Sequence, residues 1–274
     1  MNIITVNDVS KTFRRRGGRK LLRDYLRDQF RGRNEGEVFY ALKHVSFTIA
    51  TQESVSIIGA NGAGKSTLLS LIVGLAKPDE GSVEVNGRIA ALLELGSGFH
   101  PELTGTENVF LNAALLGFNE KQTREMLGAI VEFAELSESM DQPLRTYSTG
   151  MLMRLAFSVA VHVEPAILIV DEVLAVGDLA FQEKCVRRIQ TLRQEGRTLI
   201  SVTHAPGVML TCDRTIWLHH GEVIMDGPSS EVVPAYVSYM AAPQTGVPLP
   251  AVKPVFNTDT MRPRAEARAK RAMV

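Results

Sequence analysis

Ser54-Val55-Ser56-Ile57-Ile58-Gly59-Ala60-Asn61-Gly62-Ala63-Gly64-Lys65-Ser66-Thr67 is the stretch from which the fold can be read. Its first five residues read as a buried strand, the glycine-rich part as a turn, and Ser66 to Gly74 as a helix with a glycine stop. The middle fits G-x-x-x-x-G-K-[ST], and it stands after a strand and before a helix, where that pattern has a mechanism. Glycines let backbone N–H groups turn inward around phosphate oxygens, and the helix N-terminus adds partial positive charge. Lys65 reaches the terminal phosphates and the Ser66 hydroxyl ligates Mg²⁺. Gly59, Ala60, Asn61, Gly62, Ala63, Gly64, Lys65, Ser66 and Thr67 are therefore the expected nucleotide-binding set.

Ala166 to Val170 is an apolar run ending in Asp171-Glu172, Thr198 to Thr203 is another, and helix-like Phe181 to Glu195 lies between them. Such alternation indicates parallel strands with crossover helices, and ligands of such sheets gather at the carboxyl ends of the strands. Asp171 is then placed to hold Mg²⁺ through water, and Glu172 to polarise the water attacking a γ-phosphate. His204 ends the next strand, within reach of the same phosphate.

Towards the N-terminus, Ile3 to Val9 and Tyr40 to Ile49 alternate apolar and polar residues, with Val45, Phe47 and Ile49 on one face, and read as an antiparallel pair. Arg14 to Arg33, between them, holds nine Lys/Arg against two Asp and reads as a basic insertion. Inside it Leu22, Leu26 and Phe30 recur at four-residue spacing beside Tyr25, with Arg23, Arg27 and Arg31 adjoining, as in a short amphipathic helix. Asn108 to Leu136 and Met151 to Val163 carry helical periodicity, and His219-His220-Gly221 joins the strands of a terminal hairpin. Residues 241–274 read as a mobile tail, interrupted by prolines and basic at its end.

Composition removes whole classes of function. Thirty Lys+Arg cancel thirty Asp+Glu in 274 residues, so the chain does not coat nucleic acid with general positive charge. No apolar run approaches the roughly 20 residues of a membrane span. Met1 to Asp8 shows no basic region followed by an apolar one, as a secretory signal would. Cys185 and Cys212 share no repeated spacing, so they read as two core residues in a reducing cytosol.

Tyr147-Ser148-Thr149-Gly150-Met151, at a turn opening a helix about twenty residues before Asp171, resembles the LSGGQ-type sequence of ATP-binding cassette (ABC) ATPases. The order of P-loop, that sequence, Asp171-Glu172, Ala175-Val176-Gly177-Asp178 in place of the usual D-loop, and His204 is that family's order. The resemblance covers roughly residues 1 to 240. It implies an α/β P-loop NTPase fold, an ABC nucleotide-binding domain with a RecA-like core, an antiparallel β subdomain and a helical subdomain at about 98–163. It also implies a head-to-tail homodimer, each ATP lying between the P-loop of one copy and Tyr147, Ser148, Thr149, Gly150 and Asp178 of the other. The helix tip led by Ser148 would be a second anion-binding end. An aromatic that stacks on adenine is expected near the end of the first strand, where Phe13 stands, with Tyr40 as the alternative.

No glutamine occurs between Gly81 and Asn112, where most ABC ATPases carry one that contacts Mg²⁺. Leu92 to Asn108, Asp171 to Asp178 and Phe181 to Cys185 look instead like the ABC ATPases serving export of capsular polysaccharide, O-antigen and wall teichoic acid. On that resemblance Glu94 takes the glutamine's place at the metal. The implied system uses ATP and Mg²⁺, a separate transmembrane permease and a lipid-linked polysaccharide, with the chain peripheral on the cytoplasmic face of the cytoplasmic membrane and no nucleic acid bound. The helices from Asn108 to Met140 would receive the permease's coupling helix, and the basic insertion would lie at the membrane interface. About 34 residues follow residue 240, too few for the carbohydrate-binding β-domain some O-antigen exporters carry. An ABC transport ATPase for another cargo is the competing reading; a non-transport ABC ATPase usually has a coiled-coil insertion or tandem cassettes, and none is seen.

Overall fold

Two sheets enclose one apolar layer in the computed structural model, which describes residues 1–14, 38–92, 96, 98–171, 177–203, 209 and 211–241, Asp171 through its backbone alone. In the smaller sheet β1 (Asn2–Arg14) pairs antiparallel with β2 (Val38–Ala50) on one edge and β4 (Glu80–Val85) on the other. Val6 stands opposite Phe47 and Val9 opposite Val45, all four buried, so one face of the ribbon is the core face the alternation predicts. The larger sheet has the order β5-β6-β7-β3-β8-β9. Its members are β3 (Ser54–Ile58), β5 (Ile89–Ala91), β6 (Ile167–Asp171), β7 (Thr198–Val202), β8 (Arg214–His219) and β9 (Glu222–Pro228). All neighbours are parallel except β8 and β9, which form the terminal hairpin.

Every residue of β3 is buried, as a central strand covered on both faces requires. On one face Val55, Ile57, Ile169, Ile200 and Ile216 meet α1 (Lys65–Ile72) and the apolar face of the small sheet. On the other, Leu168 and Val170 meet a helical block of α2 (Gly105–Leu115), α3 (Glu120–Ala134), α4 (Thr149–His162) and α5 (Leu179–Gln194). Residues 155–161 of α4 are buried without a break, so packing surrounds this helix and holds it as a rod.

Helical periodicity from Asn108 to Leu136 resolves into two helices. The first run ends at the C-cap Leu116, followed by Gly117 at φ 83°, and Asn119 caps the second through a reciprocal box with Gln122, while Thr104 and Glu107 form the same box ahead of α2. Beyond β9, α6 (Ser229–Ala241) lays Tyr236 and Tyr239 against Trp217, with ring centres 5.4 and 5.3 Å away. Arg214 is buried under the hairpin. It bridges Asp226 with two nitrogens and donates to Thr48 O at 2.8 Å, joining the two sheets. The insertion residues 15–33 and tail residues 242–274 lie outside the described residues.

Candidate active site

β3 ends at Ile58 and the chain turns back on itself before α1 begins at Lys65. The Lys65 ammonium donates to the carbonyls of Gly59 at 2.7 Å and Ala60 at 3.1 Å, closing the turn around its own side chain. Gly64 is the helix N-cap in a left-handed conformation, φ 106°. A Cβ there would also lie 2.5 Å from the Ala41 carbonyl of β2, so only glycine fits. No side chain caps α1, and its N-terminus opens onto the loop. Asn61, Gly62 and Ser66 are exposed at the rim, Thr67 is half-buried and Ala63 is buried.

Strand register brings the acidic end of β6 to the same edge. Asp171 pairs with Val202, and Val202 with Ile57, so the three lie in one row across β6, β7 and β3. At roughly 4.8 Å per strand step, the Asp171 backbone stands about 10 Å from Ile57. Two residues beyond Ile57 the chain enters the P-loop at Gly59. Glu172, His204 and Glu94 lie outside the described residues.

The second set of residues forms a separate surface. Ser148 caps α4, accepting from the Met151 N–H at 3.2 Å, and is exposed with Thr149. Asp178 caps α5 through the Phe181 N–H at 2.9 Å, and its other oxygen accepts from Arg154 at 2.7 Å. Those bonds, the Phe181 N–H foremost, hold its carboxyl below the usual aspartate range. Ser148, Thr149, Gly150, Gly177 and Asp178 line one shallow cleft of about 630 Å³ with Arg154 and Glu135. Tyr147 departs from the expectation: its ring is buried in the helical block and its hydroxyl donates to Ser139 O at 2.6 Å. Its side chain is packing, because the apolar core beside α4 takes the ring.

Phe13 and Tyr40, the two adenine candidates, stand about half exposed at the far ends of β1 and β2, Phe13 opposite Phe39 and Tyr40 opposite Thr12, so neither ring belongs to the core. Burial pushes the Cys185 thiol up to about 12 and Cys212 to about 11, which leaves both unreactive. Sequence reasoning passed over Arg154 and Glu135. An arginine within a helix looks solvated until the fold brings its partners to it.

A groove of about 490 Å³ runs from Ser66 along Leu69 of α1 and its C-cap Val73 to Leu115 of α2, its C-cap Leu116 and Ala156 of α4. Leu75 and Leu115 stand exposed on its margin. Among the described residues no helix is long and apolar enough to cross a membrane.

Residues 42–175 match the family model described as ABC transporter. The chain is 48% identical over 208 residues to the O-antigen export system ATP-binding protein RfbB of Klebsiella pneumoniae, covering 76% of this chain and 85% of that protein. It is 38% identical over 218 residues to the teichoic acids export ATP-binding protein TagH of Bacillus anthracis, of which it spans 40%. A dimeric ATP-binding cassette in a post-hydrolysis state bound to ADP and Pi superimposes with a TM-score of 0.64 at 26% identity, covering 82% of this chain and 98% of that one.

Proposed function

The chain belongs to the ABC transporter family, and from that premise we propose that it is the ATP-hydrolysing subunit of an exporter for a lipid-linked polysaccharide, of O-antigen or teichoic-acid type. It works as a pair of copies on the cytoplasmic face of the membrane, beside a separate permease. One observation carries the ATPase reading: Lys65 is folded into a loop whose helix has no side-chain cap, at the edge where β6 delivers Asp171. The cargo class rests on the identity to the export proteins.

In this reading the P-loop N–H groups and Lys65 bind the β- and γ-phosphates, Ser148 and Gly150 of the second copy cover the γ-phosphate, and Phe13 stacks on adenine. Glu172 takes a proton from the attacking water, and His204, within reach of the γ-phosphate, steadies that water, giving ADP and phosphate. Exposed Ser66 and the carboxylate of Asp171 are the hard oxygen donors that Mg²⁺ prefers, with Glu94 as a third, and the bound ion would neutralise phosphate charge.

The apolar groove between α1, α2 and α4 is where the permease's coupling helix docks. This narrows the surface expected from residues 108–140, because α3 contributes nothing to the groove's lining.

The decisive experiment is ATP hydrolysis by the purified chain with and without its co-expressed permease. Glu172→Gln should retain ATP binding, stall turnover and trap the dimer. Undiminished turnover would remove Glu172 as the base, and export of the polysaccharide continuing in cells without the chain would remove the cargo assignment.

A further inference from the structure

We propose that Arg154 is a positioning residue that couples the two nucleotide sites of the dimer, by tying the helix tip each copy offers to its partner's nucleotide to the connection that leaves its own site. The inference rests on the sandwich dimer of the preceding section.

Three contacts fix the Arg154 guanidinium. One terminal nitrogen donates to Glu135 Oε2 at 2.9 Å, the other donates to Asp178 Oδ2 at 2.7 Å, and the group stacks 4.8 Å from the centre of the Phe181 ring. Phe181 is itself buried and packed edge-on against Phe133 and Phe157, so the platform is held by the core. Glu135 is anchored independently, because its other oxygen accepts from Lys184 at 2.9 Å and Lys184 also donates to Phe133 O. The side chain of Arg154 is 18% exposed, while Glu135 and Asp178 are 52% and 64% exposed, so the guanidinium is held by its geometry and ring stacking and the ion pairs themselves face solvent.

The placement of these partners gives the contact its meaning. Asp178 lies six residues after Glu172, on the connection from β6 to α5 that leaves the copy's own phosphate site. Arg154 lies six residues after Ser148, on the rod-like α4 whose tip faces the partner's nucleotide. Both oxygens of Asp178 are engaged, one by the α5 N-terminus and one by Arg154. A shift of that connection on nucleotide binding or hydrolysis is therefore delivered to α4 rather than absorbed by a loose side chain. Arginine is needed for this, since two separate nitrogens span two carboxylates while the plane stacks on a ring, which the single ammonium of lysine cannot do.

The test is hydrolysis by the full chain over a range of ATP concentrations, with monomer affinity for ATP and dimerisation on a non-hydrolysable ATP analogue measured alongside. The parent should approach a Hill coefficient of about 2, the number of coupled sites. Arg154→Ala and Arg154→Lys should both bring it to about 1 with kcat down about tenfold, while monomer affinity changes less than about twofold. Glu135→Gln, which leaves the bond to Asp178, should fall between. Arg154→Ala as cooperative as the parent, or a loss of kcat matched by equal losses in monomer affinity and melting temperature, would overturn the proposal. A parent chain that never dimerises on the analogue would instead overturn the sandwich reading beneath it.

Discussion

The Gly221 N–H donates to the Ala63 carbonyl at 3.0 Å, so the turn of the terminal hairpin braces the P-loop from a strand pair some 160 residues away in sequence. The same glycine's carbonyl accepts from the Lys43 N–H at 2.9 Å, which ties the small sheet into the brace. Gly221 has φ 81°, and a Cβ would lie 2.8 Å from the Ala41 carbonyl. Gly221→Ala should cost about 1–3 kcal/mol of stability. It should also weaken ATP binding by loosening the loop, read from thermal unfolding and nucleotide titration. Full ATP affinity in a destabilised variant would mean the loop holds its shape without the hairpin.

A second prediction concerns Arg214, the largest fully buried charged side chain among the described residues. Its side chain is 2% exposed and that of its partner Asp226 is fully buried. Asp226→Asn removes the charge that compensates the guanidinium and leaves it Glu53, at 3.1 Å, and the Thr48 carbonyl. The expected loss is about 3–5 kcal/mol, seen as a lower denaturant midpoint with an unchanged slope. Replacing Arg214 and Asp226 together by leucine should cost less than Asp226→Asn alone, since the one charge left behind, Glu53, is 12% exposed and still accepts from the Ala50 N–H at 2.8 Å.

The central fold was legible because its segments carry strong local signals. Val45, Phe47 and Ile49 alternate cleanly, β3 is an apolar run, and the glycines and Lys65 of the P-loop follow directly. β4 was missed because Glu80-Gly81-Ser82-Val83-Glu84-Val85 lies largely open to solvent, which leaves its apolar alternation weak. β5 has three residues and is held by pairing with β6 rather than by its own propensity. α6 contains Pro234, a breaker in any sequence reading, and persists because Val232, Val233 and Tyr236 pack on the hairpin. In the site, Ser148 as a helix cap was readable, whereas the burial of Tyr147 and the meeting of Arg154 with residues 19 and 24 positions away depend on tertiary packing.

Stability should depend on pH through His162. Burial lowers its pKa below the ordinary value, and its Nδ1 lies 2.8 Å from the Ser158 carbonyl at the end of α4. The unfolded chain therefore takes up the proton before the folded one does as pH falls through about 6.5. The contribution is fully present above that pH and is lost progressively below it. The melting temperature should drop more between pH 7.5 and 5.5 in the parent than in His162→Gln. Equal drops would show that His162 takes up its proton as readily folded as unfolded.

The last prediction separates the two duties of Ser148. As the cap of α4 its hydroxyl accepts from the Met151 N–H, a contribution of about 1 kcal/mol that aspartate supplies equally well. In the proposed sandwich dimer it faces the γ-phosphate of the second copy, where added negative charge is not tolerated. Ser148→Asp should therefore melt like the parent and bind ATP as a monomer with parental affinity, since Lys65 and the P-loop are untouched. Dimerisation on an ATP analogue and steady-state hydrolysis should both collapse, because a carboxylate set against the triphosphate repels it in the closed pair. Ser148→Ala should do the reverse in proportion, losing about 1 kcal/mol of stability but keeping measurable turnover through the N–H groups that remain. Parental turnover in Ser148→Asp would place this helix tip away from the nucleotide of the second copy.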